Sequence, residues 1–420
     1  MQAILLLAGN NSRFFPLETI GHKAMSKLYG KPIAEYLLLD LISIGIDDVI
    51  IVYGKYGEEI KTYFGDGTRW DIKIRYAEQQ EAKGQADAIL SAKNLVNSSF
   101  IVPNPQHVLQ KEIFKQLVVR FKESEVDALL PGVKTYNPNS YGIFDLDGDQ
   151  VKAVIEKPDK GEEPSDYRIT SAYCFKRDFI EFLEREPEAE YAYEKAITKY
   201  AQEKNVQMFK LKNDYIPSLK YPWHLLEIRK HMSKTFGGYV SESAQIADNA
   251  IVENSVFVDE GAVIFENACI KGKTYIGKNA VIGNNAVIRD SDIGEEVQVG
   301  INSDITRSVI MKGTHSHGGG FIGDSIIGPD SRLAAGLITA NKRTDRENIK
   351  SVVKEKKVDV CSNALGLVTG QKVKTGINVS SMPGKFVGER SMIWPSAVIY
   401  KNLPHHSELK FFQKQEIDTL

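Results

Sequence analysis

Between Ile246 and Ile288 the chain reads IADNAIVENSVFVDEGAVIFENACIKGKTYIGKNAVIGNNAVI. Ile246, Val252, Val258, Ile264, Ile270, Ile276, Ile282 and Ile288 stand six residues apart without a break. Four residues after each of the first seven comes a mostly small side chain: Ala250, Val256, Ala262, Ala268, Thr274, Ala280 and Ala286. Turn formers such as Asn249, Gly261, Asn267, Gly277 and Gly283 fall between them. A hexad of one large aliphatic, one small residue and a turn builds a triangular solenoid. The aliphatic stacks inward, the small residue fits the corner, and Gly or Asn accepts the tight bend. The pattern predicts a left-handed parallel β-helix of hexapeptide repeats, whose coils bury their core only by stacking on one another.

Outward from this stretch the period falters between Ile293 and Ile310 and returns through Phe321–Gly323, Ile327 and Leu333. The charged segment Asn341–Asp359 interrupts it and is expected to loop out. Coils restart near Leu367 and Val373, and Val387, Ile393 and Ile399 resume the six-residue spacing. The β-helix domain is therefore assigned to residues 239–402. A polar tail with two aromatics, 403–420, is expected to cap or cross the last coil.

The first 230 residues alternate two other patterns. Ile4–Leu7, Asp48–Tyr53 and Phe100–Pro103 are short apolar runs, as in strands buried on both faces. Ile72–Tyr76 alternates. Pro32–Ile46, Glu58–Phe64 and Ala86–Leu95 carry helical spacing. Strands alternating with helices predict an α/β domain, 1–232, with a mainly parallel Rossmann-like sheet and ligands at the carboxyl ends of its strands.

Two domains suit a chain of 420 residues. A net formal charge of −2 gives no basic field for nucleic acid, and Lys354–Lys357 reads as a solvated face. No apolar run reaches the length of a membrane span, and the apolar start Met1–Leu7 reads as a first strand rather than a signal peptide. Cys174, Cys269 and Cys361 share no metal-like spacing. Two of them interrupt strand-like runs and are expected to be buried thiols, which points to a reducing, cytoplasmic setting.

Directly after the first strand comes Leu7-Ala8-Gly9-Asn10-Asn11-Ser12-Arg13-Phe14-Phe15-Pro16. A small, flexible loop there can turn backbone N–H groups toward phosphates, with Arg13 as a planar fork for their oxygens. Lys23 follows ten residues later, then Gly30-Lys31-Pro32 opening a helix. These stretches, with Gln79…Gly84-Gln85, Tyr141-Gly142, Glu156-Lys157-Pro158 and Pro222-Trp223-His224-Leu225-Leu226, resemble the sugar-1-phosphate nucleotidylyltransferases. The order of a transferase domain and a β-helix is similar to that of the bifunctional enzymes that make UDP-N-acetylglucosamine and of their archaeal relatives.

The resemblance implies a reaction in which a sugar-1-phosphate oxygen attacks the α-phosphate of a nucleoside triphosphate and expels pyrophosphate. It implies that Ala8, Gly9, Asn11 and Arg13 hold the nucleotide, and that Lys23 faces the α-phosphate and the attacking oxygen. By the same resemblance Gln79 and Gly84 read the base, and Gly142, Glu156 and Lys157 hold the sugar and its phosphate. It further implies Mg²⁺ as cofactor, and a homo-oligomer, a trimer, formed through the β-helix.

The sequence departs from that pattern where its chemistry is concentrated. The family's two Mg²⁺-holding Asp residues fall on Asn104-Pro105-Gln106-His107 and on the stretch around Ser218. Mg²⁺ favours anionic oxygens, and neither replacement supplies one. His22 stands for a Pro, Gln85 for a Thr, Asn11 for a glycine and Thr170-Ser171 for Asn-Ala. His107, close to the missing Asp, is the first candidate for a substitute metal ligand or acid–base group. In the β-helix the general-base His of the bifunctional acetyltransferases falls on Gly318. Arg289 is retained, Thr306 replaces a Lys, and His315 and His317 are displaced candidates. Three readings stay open: an active nucleotidylyltransferase, a silent nucleotide-sugar-binding paralogue, and an acyltransferase acting from the β-helix.

Overall fold

The protein is described by a computed structural model covering residues 1–108, 110–170, 172–186, 191–212 and 217–412. It forms two compact units. One comprises Met1–Asn10 and Ile33–Ile216, the other Asn11–Pro32 and Pro217–Leu420.

In the first unit the apolar runs are strands: β1 (Gln2–Leu7), β2 (Asp48–Tyr53), β3 (Lys73–Glu78) and β4 (Phe100–Pro103). They run parallel in the order β4-β1-β2-β3, with Ile4 opposite Ile50 and Val49 opposite Ile74. The helices between them, Ile33–Ser43, Gly57–Phe64 and Gln85–Ser91, cover the sheet, so Ile4, Leu5, Ile50 and Val52 are fully buried. The expected helix to Leu95 ends at Ser91, and a 3-10 turn, Lys93–Leu95, finishes the segment.

Six further strands complete a ten-stranded sheet: β5 (Ala128–Lys134), β6 (Gly142–Asp147), β7 (Gln150–Glu156), β8 (Tyr167–Ile169), β9 (Ala172–Phe175) and β10 (Val206–Lys210). Here β5 and β10 are parallel, while β9 runs antiparallel to both β4 and β5 and β6–β7 is a hairpin. Phe175 stacks on Phe179 at 3.9 Å and meets Tyr200 edge-on, an aromatic core beneath this half. The carboxyl ends of β1 to β4 open into Ala8, Gly54, Gln79 and Asn104, where ligand loops of such sheets lie.

In the second unit three sheets of eight, nine and eight strands stack in parallel as a left-handed β-helix. Ile264 pairs with Ile282 and Ile270 with Ile288, one 18-residue coil apart. Val258, Ile264, Ile270, Ile276, Ile282 and Ile288, with the corner residues Ala262, Ala268, Ala280 and Ala286, are 0–1% exposed. The faltering after Ile288 has a structural cause: the helix continues, but each coil is one residue shorter. Ile276 pairs with Ile293, Ile293 with Ile310 and Ile310 with Ile327, each 17 residues on. The residue is lost at one corner, where Asp290, Arg307 and Asp324 adopt φ of 45°, 49° and 47°. The serine after each is buried, and the Oγ of Ser291 and of Ser308 accepts the N–H of the serine one coil on, at 3.1 and 3.0 Å.

The interrupting segment carries a hairpin of its own, Lys350–Val353 against Lys356–Asp359. Lys354 and Glu355 at its tip both have positive φ, which matches the right-handed twist of the strands. Leu333 then pairs with Thr375, so the stack resumes beyond the insertion. Of the tail, Glu408–Leu409 pairs beyond Met392–Ile393 and extends the nine-stranded sheet, while 413–420 lie outside the described residues. Cys174 is buried, but Cys269 is half-buried and Cys361 exposed. Cys269 occupies the outward place of a strand whose inward residue is Ile270, which corrects the expectation of two buried thiols. No described helix is long and apolar enough to cross a membrane.

Gly318 has φ 97°, and a Cβ there would stand 2.1 Å from the Ile301 carbonyl oxygen, whereas at Gly319 a Cβ would meet nothing within 4 Å. Gly318→Ala is therefore expected to lower the stability of the β-helix by about 2–4 kcal/mol, and Gly319→Ala by clearly less. Denaturant melts of the two variants measure the difference, and equal melts would refute the packing argument.

Candidate functional site

In the first unit a cleft of about 410 Å³ opens at the carboxyl ends of β1, β2 and β3. Ala8, Asn10, Gly54, Lys55, Gln79 and Gln80 are among its lining residues. Gly54 lets the chain pass close to β1, since a Cβ there would stand 2.9 Å from the Ala8 carbonyl oxygen. Gln79 is buried, and its Nε2 donates to the Gly84 carbonyl at 3.1 Å and to Asp87 Oδ2 at 2.7 Å. That commits its N–H groups and leaves Oε1 for a ligand's donor. Gly84 takes φ 116° and precedes helix Gln85–Ser91, a conformation suited to glycine. Gln79 and Gly84 are thus brought together, with Gln85 opening the helix behind them. Gly9 is exposed beyond β1.

On the antiparallel half, Gly142 pairs directly with Glu156. A Cβ at Gly142 would lie 2.9 Å from Glu156 Oε2, so the glycine makes room for that carboxylate. Lys157, at φ 49°, sits 3.5 Å from Glu156 Oε1 and 3.3 Å from the Tyr191 hydroxyl. Hydrogen bonding to Tyr191 raises the Lys157 pKa. Burial, with Glu156 nearby, raises that of Glu194. Tyr191 and Glu194 belong to this cluster and carry no motif that marks them in the sequence.

His107 is buried, and its Nδ1 has no hydrogen-bond partner among the described residues. Burial and the charge of Arg168 pull its pKa down to about 4, so the imidazole is neutral near pH 7. Arg168, whose guanidinium lies over the Tyr141 ring at 4.5 Å, is a second residue without a sequence signal. Thr170 is buried, and Ser171 lies outside the described residues.

Arg13 and Lys23 belong to the second unit. Asn11 adopts φ 54°, the conformation for which it stands in place of glycine. Its Nδ2 donates to the Gly21 carbonyl at 2.6 Å and its Oδ1 accepts the Lys23 N–H at 3.1 Å, which closes the loop around Arg13. His22 is buried and neutral, its pKa lowered to about 3 by burial and Lys23, and its Nδ1 caps the short turn Lys23–Met25. Burial, then the charges of Arg13 and Lys220, lower the Lys23 pKa to about 8. Three cations therefore converge. Lys220 escapes sequence reading because attention falls on its uncharged neighbour Ser218. The Ser218 carbonyl and the Lys220 N–H both lie in reach of His224 Nδ1, which donates to the first or accepts from the second according to its tautomer.

The family model for nucleotidyl transferases matches residues 2–224. The chain belongs to the nucleotidyl transferase family. The bifunctional protein GlmU of Methanocaldococcus jannaschii is 32% identical over 96% of each chain. A bifunctional sugar-1-phosphate nucleotidylyltransferase/acetyltransferase of Sulfurisphaera tokodaii is 29% identical, over 96% of this chain and 98% of its own. A crystal structure of apo UDP-glucose pyrophosphorylase superposes with a TM-score of 0.51 at 18% identity, over 56% of this chain and 98% of that one, a likeness of fold.

The residues of this family member do not fit a protein-held Mg²⁺. Asn104 Oδ1 accepts the Gln106 N–H at 3.0 Å, His107 lies in the field of Arg168, and Ser218 carries no charge. Among the described residues no three His, Cys, Asp or Glu side chains converge on a metal position. Around Lys23 the field is positive, which favours a polyanion over a bare divalent cation.

In the β-helix, Gly318 leaves no space for any side chain at the general-base position. Arg289 forms a double hydrogen bond with Asp304 at 2.7 and 2.9 Å and stands opposite Thr306 on the next coil. His315 and His317 stack at 4.5 Å on a different sheet, with Arg332 Nη1 3.0 Å from His315 Nδ1. Within one chain the His pair and Arg289 therefore occupy different faces.

Lys23 is protonated below pH 8 and loses its proton as pH rises through that value. An anion that pairs with it binds fully below pH 8 and more weakly above. Calorimetric titration with UTP or pyrophosphate is expected to show affinity falling by up to about tenfold per pH unit above 8. Lys23→Arg, charged throughout, is expected to abolish the fall. A wild-type affinity constant from pH 7 to 9.5 would rule Lys23 out of anion binding.

Proposed function

We propose that this protein transfers a nucleotidyl group from a nucleoside triphosphate to a sugar 1-phosphate. The observation that carries the reading is the cleft at the ends of β1–β3, which Ala8 and Gln79 line, with Gly84 bonded to Gln79. Gln79 accepts from the base, and Ala8, Gly9, Asn11 and Arg13 hold the phosphates. Gly142, Glu156 and Lys157 take the sugar and its phosphate.

A sugar-phosphate oxygen attacks the α-phosphorus, the bond to the β-phosphate's bridging oxygen breaks, and pyrophosphate leaves with that electron pair. No proton is transferred from the nucleophile. The demand is alignment and neutralisation of charge on the phosphoryl oxygens. Lys23 stabilises the α-phosphate, while Arg13 and Lys220 supply positive charge that the family draws in part from metal.

The absence of the two carboxylates favours a second reading, a paralogue that binds a nucleotide sugar without turnover. Acyl transfer from the β-helix is the weakest reading, because Gly318 admits no side chain. Pyrophosphate release from a panel of triphosphates and sugar 1-phosphates, with Mg²⁺ and with EDTA, tests the first reading. Release is expected with at least one pair. Binding without release from any pair would establish the second, and neither binding nor release would sink both. Arg13→Ala is expected to weaken triphosphate binding about 10- to 100-fold, the scale of a lost charge-assisted hydrogen bond.

We also propose a homotrimer through the β-helix and a cytoplasmic setting. One end of an outward column supports the first, where Ile338, 51% exposed, stands beside Phe321 in register. Sedimentation is expected to give a mass near three chains at micromolar concentration, and a monomer there would refute it.

A further inference from the structure

The segment Asn11–Pro32, which carries Arg13 and Lys23, packs within the β-helix unit rather than with the sheet that its neighbours in sequence build. It is anchored at two points. At the first, Glu18 Oε1 lies 2.8 Å from His405 Nε2, and the Thr19 hydroxyl donates to Glu389 Oε2 at 2.7 Å. Glu389 is itself held, since its N–H donates to His405 Nδ1 at 3.0 Å and Gln371 Nε2 donates to its carboxylate at 2.7 Å. The coil presses close: a Cβ on Gly370 would stand 2.7 Å from the Pro16 carbonyl oxygen. At the second point the Tyr29 N–H donates to Asp292 Oδ2 at 2.5 Å, and the Tyr29 ring stacks on Phe236 at 4.4 Å.

Nothing in a hexapeptide repeat calls for an acid at Asp292. Its place in the column is held on neighbouring coils by Phe257, Tyr275, Val309 and Ile326. Asp292 is 3% exposed, and a buried carboxylate is costly unless a donor meets it. The Tyr29 N–H is such a donor. Lys23 lies between the two anchors and Arg13 just before the first.

We infer that Asp292, Glu389 and His405 are positioning residues for nucleotidyl transfer, by which the β-helix sets where Arg13 and Lys23 stand. The inference rests on the reading that those two cations hold the triphosphate. It gives the β-helix a part in the chemistry of the other half of the chain, separate from any acyl transfer.

The test uses the full chain with Asp292→Ala, with the pair Glu389→Ala/His405→Ala, and with Asp292→Asn, which keeps an acceptor for the Tyr29 N–H. Hydrogen exchange of residues 11–32 is expected to accelerate at least about tenfold in the two alanine variants, with the inward strands of the β-helix unchanged. Their calorimetric affinity for a panel of UTP, dTTP, GTP and ATP is expected to fall about tenfold, and Asp292→Asn to restore both. Unchanged exchange in both alanine variants, or Asp292→Asn as damaged as Asp292→Ala, overturns the inference. So does faster exchange with unchanged triphosphate affinity. A wild-type chain that binds no triphosphate defeats the functional reading and this role together, while the exchange data alone still decide whether the anchors hold the segment.

Discussion

Most coils of the β-helix present one aliphatic residue per face to the interior, with Ser316, Thr339, Thr375 and Ser381 in that place on some later ones, and each aliphatic is buried only because another residue stands above and below it. Ile264 on Ile282, Ile270 on Ile288 and Ile276 on Ile293 are single links of continuous columns. Complete burial of such a side chain contributes about 1.5–3 kcal/mol, and the columns repeat it coil after coil. The stack also stiffens the outer surface, because every outward residue is fixed by the inward one beside it. Glu389 and Asp292 can hold a separate segment of chain for that reason.

That rigidity bears on the chemistry of the other end of the sequence. Arg13 and Lys23 on this loop meet Lys220, and their mutual repulsion adds to burial in lowering the Lys23 pKa. Such a loop keeps its charges together only if something else holds its backbone. Asn11 does so locally, bridging Gly21 and Lys23. The hydrogen bonds of Glu18, Thr19 and Tyr29 do so over a longer range. The departures from the resemblance form a consistent set: at the positions where it implies carboxylates for a metal, Asn104, Gln106 and Ser218 are uncharged. Fold membership thus leaves the division of labour between metal and protein to these residues.

Much of this was legible in the amino-acid order. The six-residue spacing from Ile246 announced the solenoid, and the runs Ile4–Leu7, Asp48–Tyr53 and Phe100–Pro103 announced buried strands. Gln79 with Gly84, and Gly142 with Glu156, were legible as pairs through motif resemblance, and the backbone does bring each pair together. Period counting failed after Ile288 because losing one residue per coil shifts every later register, although the physical stack is unbroken. Cys269 failed because an apolar neighbourhood in sequence does not say which residue of the short strand Cys269–Lys271 faces in.

What the sequence by itself determined is therefore whatever depends on local periodicity: the strand and coil repeats, the turn positions at Gly and Asn, and the order of two architectures. Tertiary structure alone decided what depends on residues far apart meeting. It set Lys220 beside Lys23, buried His107 next to Arg168, and brought Asp292 to the backbone of Tyr29. The reason is the range of the forces involved. Periodic burial is written into neighbouring residues, whereas a desolvated charge takes its energy from whichever partner the folded chain delivers to it.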